Sequence, residues 1–420
     1  MSSSSSNSSE GMEGDMIDAF EAEYEEAMLN LEAESSRTRR HRGYIRRDRL
    51  GAHDRLYDDY FADNCTYPPN FFRRRYRMRR HLFLRIVDRL GEYSPYFTQR
   101  VDALNRPGFS PLQKCTAALR LLAYGAAADT IDEWLKLARQ TSAECLERFC
   151  EGIIHCYGDE FCRRPNVADT QRLLAKAEER GFPGMLGSID CMHWQWRNCP
   201  VAHAGQFTRG DIKHPTIILE AVASYDRWIW HAFFGVAGSN NDINVLNQSP
   251  LFTDVLRGEA PIVNFTVNGH EYNRGYYLAD GIYPSWPVFM KGVTLPQSDE
   301  HRLFTKAQSA WRKDVECAFG VLKSRFNIIA VPGRSYSKRT LGLIMRACVI
   351  LHNMIIDDER GTNLDHIYET VDSNVGPAIH NNAPPSLAAR IQMDTEMRDS
   401  PMYTQLQQDL IEHVWAKSNA

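Results

Sequence analysis

The chain has 420 residues, 43% of them apolar and 24% charged, enough for two or three domains around a large core. No apolar run of about 18 residues marks a membrane span, and the Ser-rich start lacks the apolar centre of a signal peptide. Ten cysteines without a CxxC are expected as free thiols of an intracellular protein. The net charge of −4 conceals a split: residues 1–36 carry ten acids and no Lys or Arg, which leaves +6 on residues 37–420. A basic body suits a nucleic-acid partner.

Residues 1–36 read as a disordered acidic tail. Met12, Met16, Phe20, Tyr24, Met28 and Leu31 nevertheless recur at helical spacing, so the alternative is a helix that folds into a partner's groove. Residues 37–109 form a basic segment with helices. Its first cluster, Arg37 to Arg49, holds seven Arg against one Asp and reads as an import signal or a phosphate contact. Its second contains Arg73, Arg74 and Arg75, expected to bind DNA, and leads into an amphipathic helix through Leu82, Ile86 and Leu90; the bland alternative is a solvated helix face.

Residues 110–165 read as a helix-turn-helix-like unit. Ser110-Pro111-Leu112-Gln113, Thr130-Ile131-Asp132-Glu133 and Thr141-Ser142-Ala143-Glu144 are helix-start signals, predicting helices at about 111–124, 131–138 and 142–157. The last helix of such a unit enters a major groove, although Glu144, Glu147 and Glu151 sit on it and many three-helix bundles bind nothing.

Residues 180–357 read as an α/β core. Met185–Trp194, Ile217–Tyr225, Trp228–Val236 and Tyr276–Asp280 are predicted strands, the middle two joined as a hairpin at Asp226-Arg227. Helices are predicted from about Asn241-Asp242, over Asp314–Phe326 and over Arg339–Asp357, the last apolar nearly all round and therefore buried. Residues 358–420 read as a linker followed by a helix at Met402–Lys417, whose apolar stripe either docks on the core or forms a dimer surface.

Three carboxylates stand out. Asp190 interrupts the apolar run Met185-Leu186-Gly187-Ser188-Ile189-Asp190-Cys191-Met192, where a charge is costly unless paired or metal-bound. Asp280 ends the last strand, and Glu316 lies on the later helix beside its apolar stripe. An acid from each of three elements is the pattern that gathers Mg2+ or Mn2+, the ions that clamp the attacking and leaving oxygens in phosphoryl transfer. Chance triplets are easy among 53 acids, so spacing alone leaves turn-forming or salt-bridging roles open. Asp242 competes with Asp280 for the second position but precedes an apolar helical run, where an N-cap or a nearby contact is the expected role. Lys306, Arg312 and Lys313 precede Glu316 on its own segment and are expected to meet DNA phosphates, or else to form a solvated face. His193 is expected as a hydrogen-bonded core residue, and Trp194 and Trp196 as core or loop anchors.

The strings Gly-Ser-Ile-Asp-Cys-Met-His-Trp-Gln-Trp-Arg-Asn-Cys-Pro (187–200), Ala-Gly-Ser-Asn-Asn-Asp-Ile-Asn-Val-Leu-Asn-Gln-Ser-Pro-Leu-Phe (237–252), Tyr-Tyr-Leu-Ala-Asp-Gly-Ile-Tyr-Pro (276–284) and Arg-Lys-Asp-Val-Glu-Cys-Ala-Phe-Gly-Val-Leu (312–322) resemble the plant PIF/Harbinger-type transposases, Pong-like elements and their domesticated relatives. The resemblance covers roughly residues 60–357 and implies an RNase H-like core, a mixed sheet flanked by helices, preceded by an all-α helix-turn-helix domain. It implies a DDE triad of Asp190, Asp280 and Glu316 holding Mg2+ or Mn2+, a nuclear protein that cuts transposon ends and joins them to target DNA, and a Myb-like partner protein. A homo-oligomer is also expected. One departure is visible: the family's usual Arg after the motif Glu is Cys317 here. The alternative is a domesticated DNA- or chromatin-binding regulator that keeps the fold without the reaction.

Overall fold

The computed structural model describes residues 47–210, 212–251, 262–360 and 401–419, together with Ile45. The acidic stretch 1–36, most of the first arginine cluster and the segment 361–400 lie outside the described residues.

From Asp48 the chain opens with helices. α1 (Arg49–Tyr60) is capped by the Asp48 carboxylate, which accepts from the Gly51 amide at 3.0 Å. α2 (Pro69–Tyr76) begins on proline, whose missing N–H costs a first turn nothing. After α3 (Arg80–Tyr93) comes α4 (Pro111–Tyr124), whose Ser110/Gln113 capping box forms as the sequence signals. The next two expected helices differ. Residues 131–138 yield a 3-10 turn (Ala128–Ile131) and one α-turn, α5 (Asp132–Leu135), because the Thr130 hydroxyl donates to the Ala127 carbonyl at 2.7 Å instead of capping a helix. α6 (Arg139–Phe161) starts ahead of Thr141, so that residue lies inside the first turn. α6 turns Cys145, Phe149, Ile153 and Phe161 into the core against α4, leaving Glu144, Glu147 and Arg148 exposed.

α7 (Val167–Glu179) leads into the sheet, which comprises β1 (Met185–Gln195), β2 (Thr216–Ala223), β3 (Ile229–Ala237), β6 (Tyr276–Leu278) and β7 (Phe289–Met290). Their order is β3-β2-β1-β6-β7; β1 pairs antiparallel with β2 and parallel with β6. β2 is buried along its whole length, which explains why it reads as an apolar run broken by Glu220. Gly187 sits where β1 closes on β2: a Cβ there would lie 2.4 Å from the Ala223 carbonyl oxygen, and its φ of +157° suits glycine. α8 (Val201–Phe207) and α9 (Asp242–Gln248) flank the strands, and a separate hairpin, β4 (Ile262–Val267) with β5 (His270–Arg274), precedes β6.

The long α10 (Asp299–Arg325) crosses the sheet, followed by α11 (Asn327–Ala330) and α12 (Lys338–Glu359). α12 is long and apolar enough to match a membrane span, yet Leu341, Met345, Val349, Leu351 and Ile355 are all buried inside the chain, packed with α6. One hydrophobic cluster runs from Leu56 through α4, α6 and β2 to Ile356, so the N-terminal helices and the sheet share a core. α13 (Met402–Ser418) docks its stripe, Leu406, Leu410, Ile411 and Val414, against Phe182, Met185 and Phe304. Its Asp409 accepts from the Tyr272 hydroxyl and lies 2.9 Å from His270 Nδ1.

Charged contacts lock the N-terminal helices onto the end of α12. The buried Glu359 carboxylate accepts from Arg73 Nε at 2.7 Å and from Arg325 Nη2 at 3.4 Å, while Asp358 takes Arg79 at 2.6 Å. Arg73, expected on DNA, is therefore an internal tie. Removing the shared anion takes the carboxylate partner from the buried Arg325 and the largely covered Arg73, so Glu359→Ala should lower the unfolding free energy by about 3 kcal/mol. Urea unfolding measures this; an unchanged midpoint would show that the tie contributes nothing.

Candidate active site

Burial, pairing and one helix bring the acids together. β6 runs parallel to β1 with Ser188 opposite Leu278, and β6 ends there. Two residues further along each chain are Asp190 and Asp280, so strand register sets them level. Asp280 is exposed and caps its own turn, its Oδ1 accepting from the Ile282 amide at 3.0 Å.

α10 supplies the third acid and holds the other two in place. The Val315 amide, next to Glu316, donates to Ser188 Oγ at 3.1 Å. Further up the helix, buried Gln308 donates from Nε2 to the carbonyls of Ala279 and Met290, each at 3.0 Å. One helix thus grips β1 two residues before Asp190 and the chain one residue before Asp280. Arg312, one turn before Glu316, reaches both sides: Nη1 lies 3.7 Å from Asp190 Oδ2 and Nη2 3.1 Å from Glu316 Oε1. Arg312 was expected on a DNA phosphate; here it stands between two carboxylates. Lys306 and Lys313 are exposed, seven positions apart and so on one stripe of the helix. Of the other arginines, Arg74 is exposed, whereas Arg75 donates to the Tyr60 hydroxyl and lies 4.0 Å over the Tyr67 ring. Arg75 helps line a cleft of about 340 Å3 with Arg120, Tyr124 and Trp134, built from the helical layer and separate from these acids.

The cluster holds more acids than the sequence pattern singled out. Asn241 caps α9, accepting from the Asn244 amide at 2.9 Å, and Asp242 is the first helical residue, not the cap. Burial raises the Asp242 carboxyl above the usual range, and the charges of Asp280 and Glu220 push it the same way against the Cys191 thiol and Arg209. Glu220 faces Cys191 across the β1–β2 ladder and is fully buried, its Oε2 accepting from Ser249 Oγ and lying 3.0 Å from His231 Nε2. Its Oε1 has no hydrogen-bond partner. The sequence signal for Glu220 matches that for Asp190, an acid inside Ile217-Ile218-Leu219-Glu220-Ala221-Val222. His193 is held between Thr216 Oγ1 at 2.9 Å and Arg209 at 3.0 Å, and the Trp194 and Trp196 indoles donate to the Val331 and Ser335 carbonyls.

Burial pushes the Asp190 carboxyl up to about 7, helped by the charges of Asp242 and Glu316 and opposed by the Cys191 amide and Arg312. Its folded value thus stands above the unfolded one. The folded chain keeps the proton and loses relative stability as pH rises from about 4 through about 7. Asp190→Asn removes that loss. The variant should exceed the parent by roughly 2–4 kcal/mol at pH 8 and converge with it near pH 4. Paired denaturation curves without metal across this range test the sign; a pH-independent difference would show that Asp190 does not titrate there.

The fold and site describe a mixed α/β core with a partly buried acid cluster where its central strand meets a crossing helix. Residues 159–363 match the family model of the plant transposon protein, and residues 53–91 match a domain of unknown function. An ALP1-like protein of Arabidopsis thaliana is 27% identical over 266 residues, 59% of this chain and 61% of that protein, less than two thirds of its length. The HARBI1 proteins of Bos taurus and Xenopus laevis, named as candidate nucleases, are 22% and 23% identical; they align over 73% and 80% of this chain and 83% and 88% of their own. No solved structure matches. Residues 159–363 thus carry a plant-transposon domain, and the chain is similar to nuclease-named HARBI1 proteins over most of its length.

Proposed function

We propose that the chain is a divalent-metal-dependent DNA endonuclease and strand-transfer enzyme of the DDE type, with Asp190, Asp280 and Glu316 as its metal-holding acids. The observation behind this reading is the meeting of Asp190 and Glu316 on one guanidinium, with Asp280 level with Asp190 across the β1–β6 pair. The strand order β3-β2-β1-β6-β7, antiparallel on one side of β1 and parallel on the other, supports an RNase H-like core.

The donor set is all carboxylate oxygen, which suits Mg2+ or Mn2+. As the side chains stand, no group of three such donors among the described residues is arranged to hold an ion. When bound, the ion supplies an activated water and positive charge at the leaving oxygen. The protein's own residues do the rest. Asp190 gives up its proton to become a ligand, so ion binding strengthens as pH rises through about 7. Gln308 and Ser188 hold the three acids in register, and Glu220 and Asp242 keep the surroundings negative. Lys306, Lys313 and Arg74 contact DNA phosphates. The helix-turn-helix role of 110–165 rests on its helix-start signals and on resemblance, while the exposed face of α6 bears Glu144 and Glu147. The same reading has the protein act in the nucleus, as a homo-oligomer and with a Myb-like partner.

Glu316→Gln keeps size and helix preference but removes the charge. It should cut Mg2+- or Mn2+-dependent cleavage of an end-containing duplex more than about a hundred-fold, as should Asp280→Asn, with Asp242→Asn costing about ten- to a hundred-fold. Parent-like cleavage by Glu316→Gln would overturn the assignment in favour of a non-catalytic DNA-binding protein. Replacing Arg74, Lys306 and Lys313 with Ala should flatten the slope of log affinity against log salt by about 2–3. An unaltered slope in that titration would remove these residues from the DNA interface.

A further inference from the structure

We propose that Arg312 is the resident counter-cation of the acid cluster, a positioning residue that competes with the divalent ion for Asp190 and Glu316 and must swing aside before the ion enters. The inference rests on the reading of those acids as an ion-binding set. One guanidinium spans carboxylates from two different elements, at 3.7 Å on β1 and 3.1 Å on α10. Helix physics alone gives little reason for it, because an Arg placed four residues before a Glu is the weaker order of an i,i+4 pair. The electrostatic reason is stronger. Asp190 lies in a partly desolvated site beside the like charges of Glu316 and Asp242, and a guanidinium within reach of both Asp190 and Glu316 offsets that cost.

The bridge is also one that can open. Arg312 and its two partners are each about a fifth exposed, and its side chain is long. Arg180, by contrast, is fixed: it donates to Asp314 and lies 4.1 Å over the Trp311 ring. A guanidinium left in place would both occupy carboxylate oxygens and repel a divalent ion, so the resting chain binds metal below the strength of its acids. A DNA phosphate gives the displaced guanidinium a new partner, since Arg forms paired hydrogen bonds with phosphate as well as carboxylate.

Mn2+ binding to the full chain without DNA, by titration calorimetry above pH 7 and at fixed ionic strength, tests this in four proteins. Arg312→Gln should bind Mn2+ at least about ten-fold more tightly than the parent, the effect of removing one like charge near the site. Arg312→Lys, which keeps a cation to support the fold but loses the two-ended fork, should bind more tightly by a smaller factor. Glu316→Gln should weaken binding. Arg312→Gln no tighter than the parent, or Arg312→Lys no tighter should the Gln variant not fold, would overturn the competition while leaving the ion site standing, provided Glu316→Gln still weakens binding. Mn2+ binding indifferent to Glu316→Gln would overturn the ion site itself. Absence of binding by every variant would overturn both.

Discussion

The site depends on how α10 is held against the sheet. A helix crossing a sheet on apolar contacts alone can slide or rotate with little penalty, because burial is non-directional. Here two polar contacts remove that freedom: Ser188 Oγ receives the Val315 amide, and buried Gln308 binds the carbonyls of Ala279 and Met290. Each is a directional bond in a dry environment, where breaking it leaves an unpaired polar group costing about 1–3 kcal/mol. The two grips fall on the two chain segments that carry Asp190 and Asp280. Packing and chemistry are therefore joined in the same few residues.

That arrangement creates an electrostatic cost which the protein carries in its resting state. Carboxylates from β1, α9, the β6 turn and α10 gather with Glu220 behind them, and burial raises the proton affinity of Asp190 and Asp242. Protonation and nearby cations, above all the Arg312 guanidinium between Asp190 and Glu316, relieve this crowding. Either is incompatible with an ion held by fully charged carboxylates. Stability and a reactive arrangement pull in opposite directions here, as they commonly do where charges are assembled for chemistry.

The N-terminal helices serve the core more than they stand apart from it. Arg73 and Arg325 share Glu359, and α6 buries its apolar face against α4 and α12. An arginine-rich helix preceding a helical bundle reads as a DNA-binding surface, yet within one stretch Arg73 faces inward, Arg75 lies on aromatic rings and Arg74 faces water. The basic character of the segment is shared between structural and exposed roles, position by position.

Much was legible in the sequence alone. Largely apolar runs identified the strands at Ile217–Tyr225 and Trp228–Val236, a buried face all round identified the helix before Asp357, and an acid interrupting an apolar run marked Asp190. Local signals of this kind survive folding because they reflect burial of one element at a time. The short middle helix expected at 131–138 and the late start expected for the next did not survive, since a capping residue works only where the tertiary structure lets the helix begin. Asp242 and Glu220 joined the cluster, and Arg312 moved from the DNA side to the acid side, through contacts between elements far apart in sequence. Sequence determined which side chains carry charge and which face of each element is apolar; only the tertiary structure decided which charges meet, because Coulomb energy depends on distances that chain spacing does not contain.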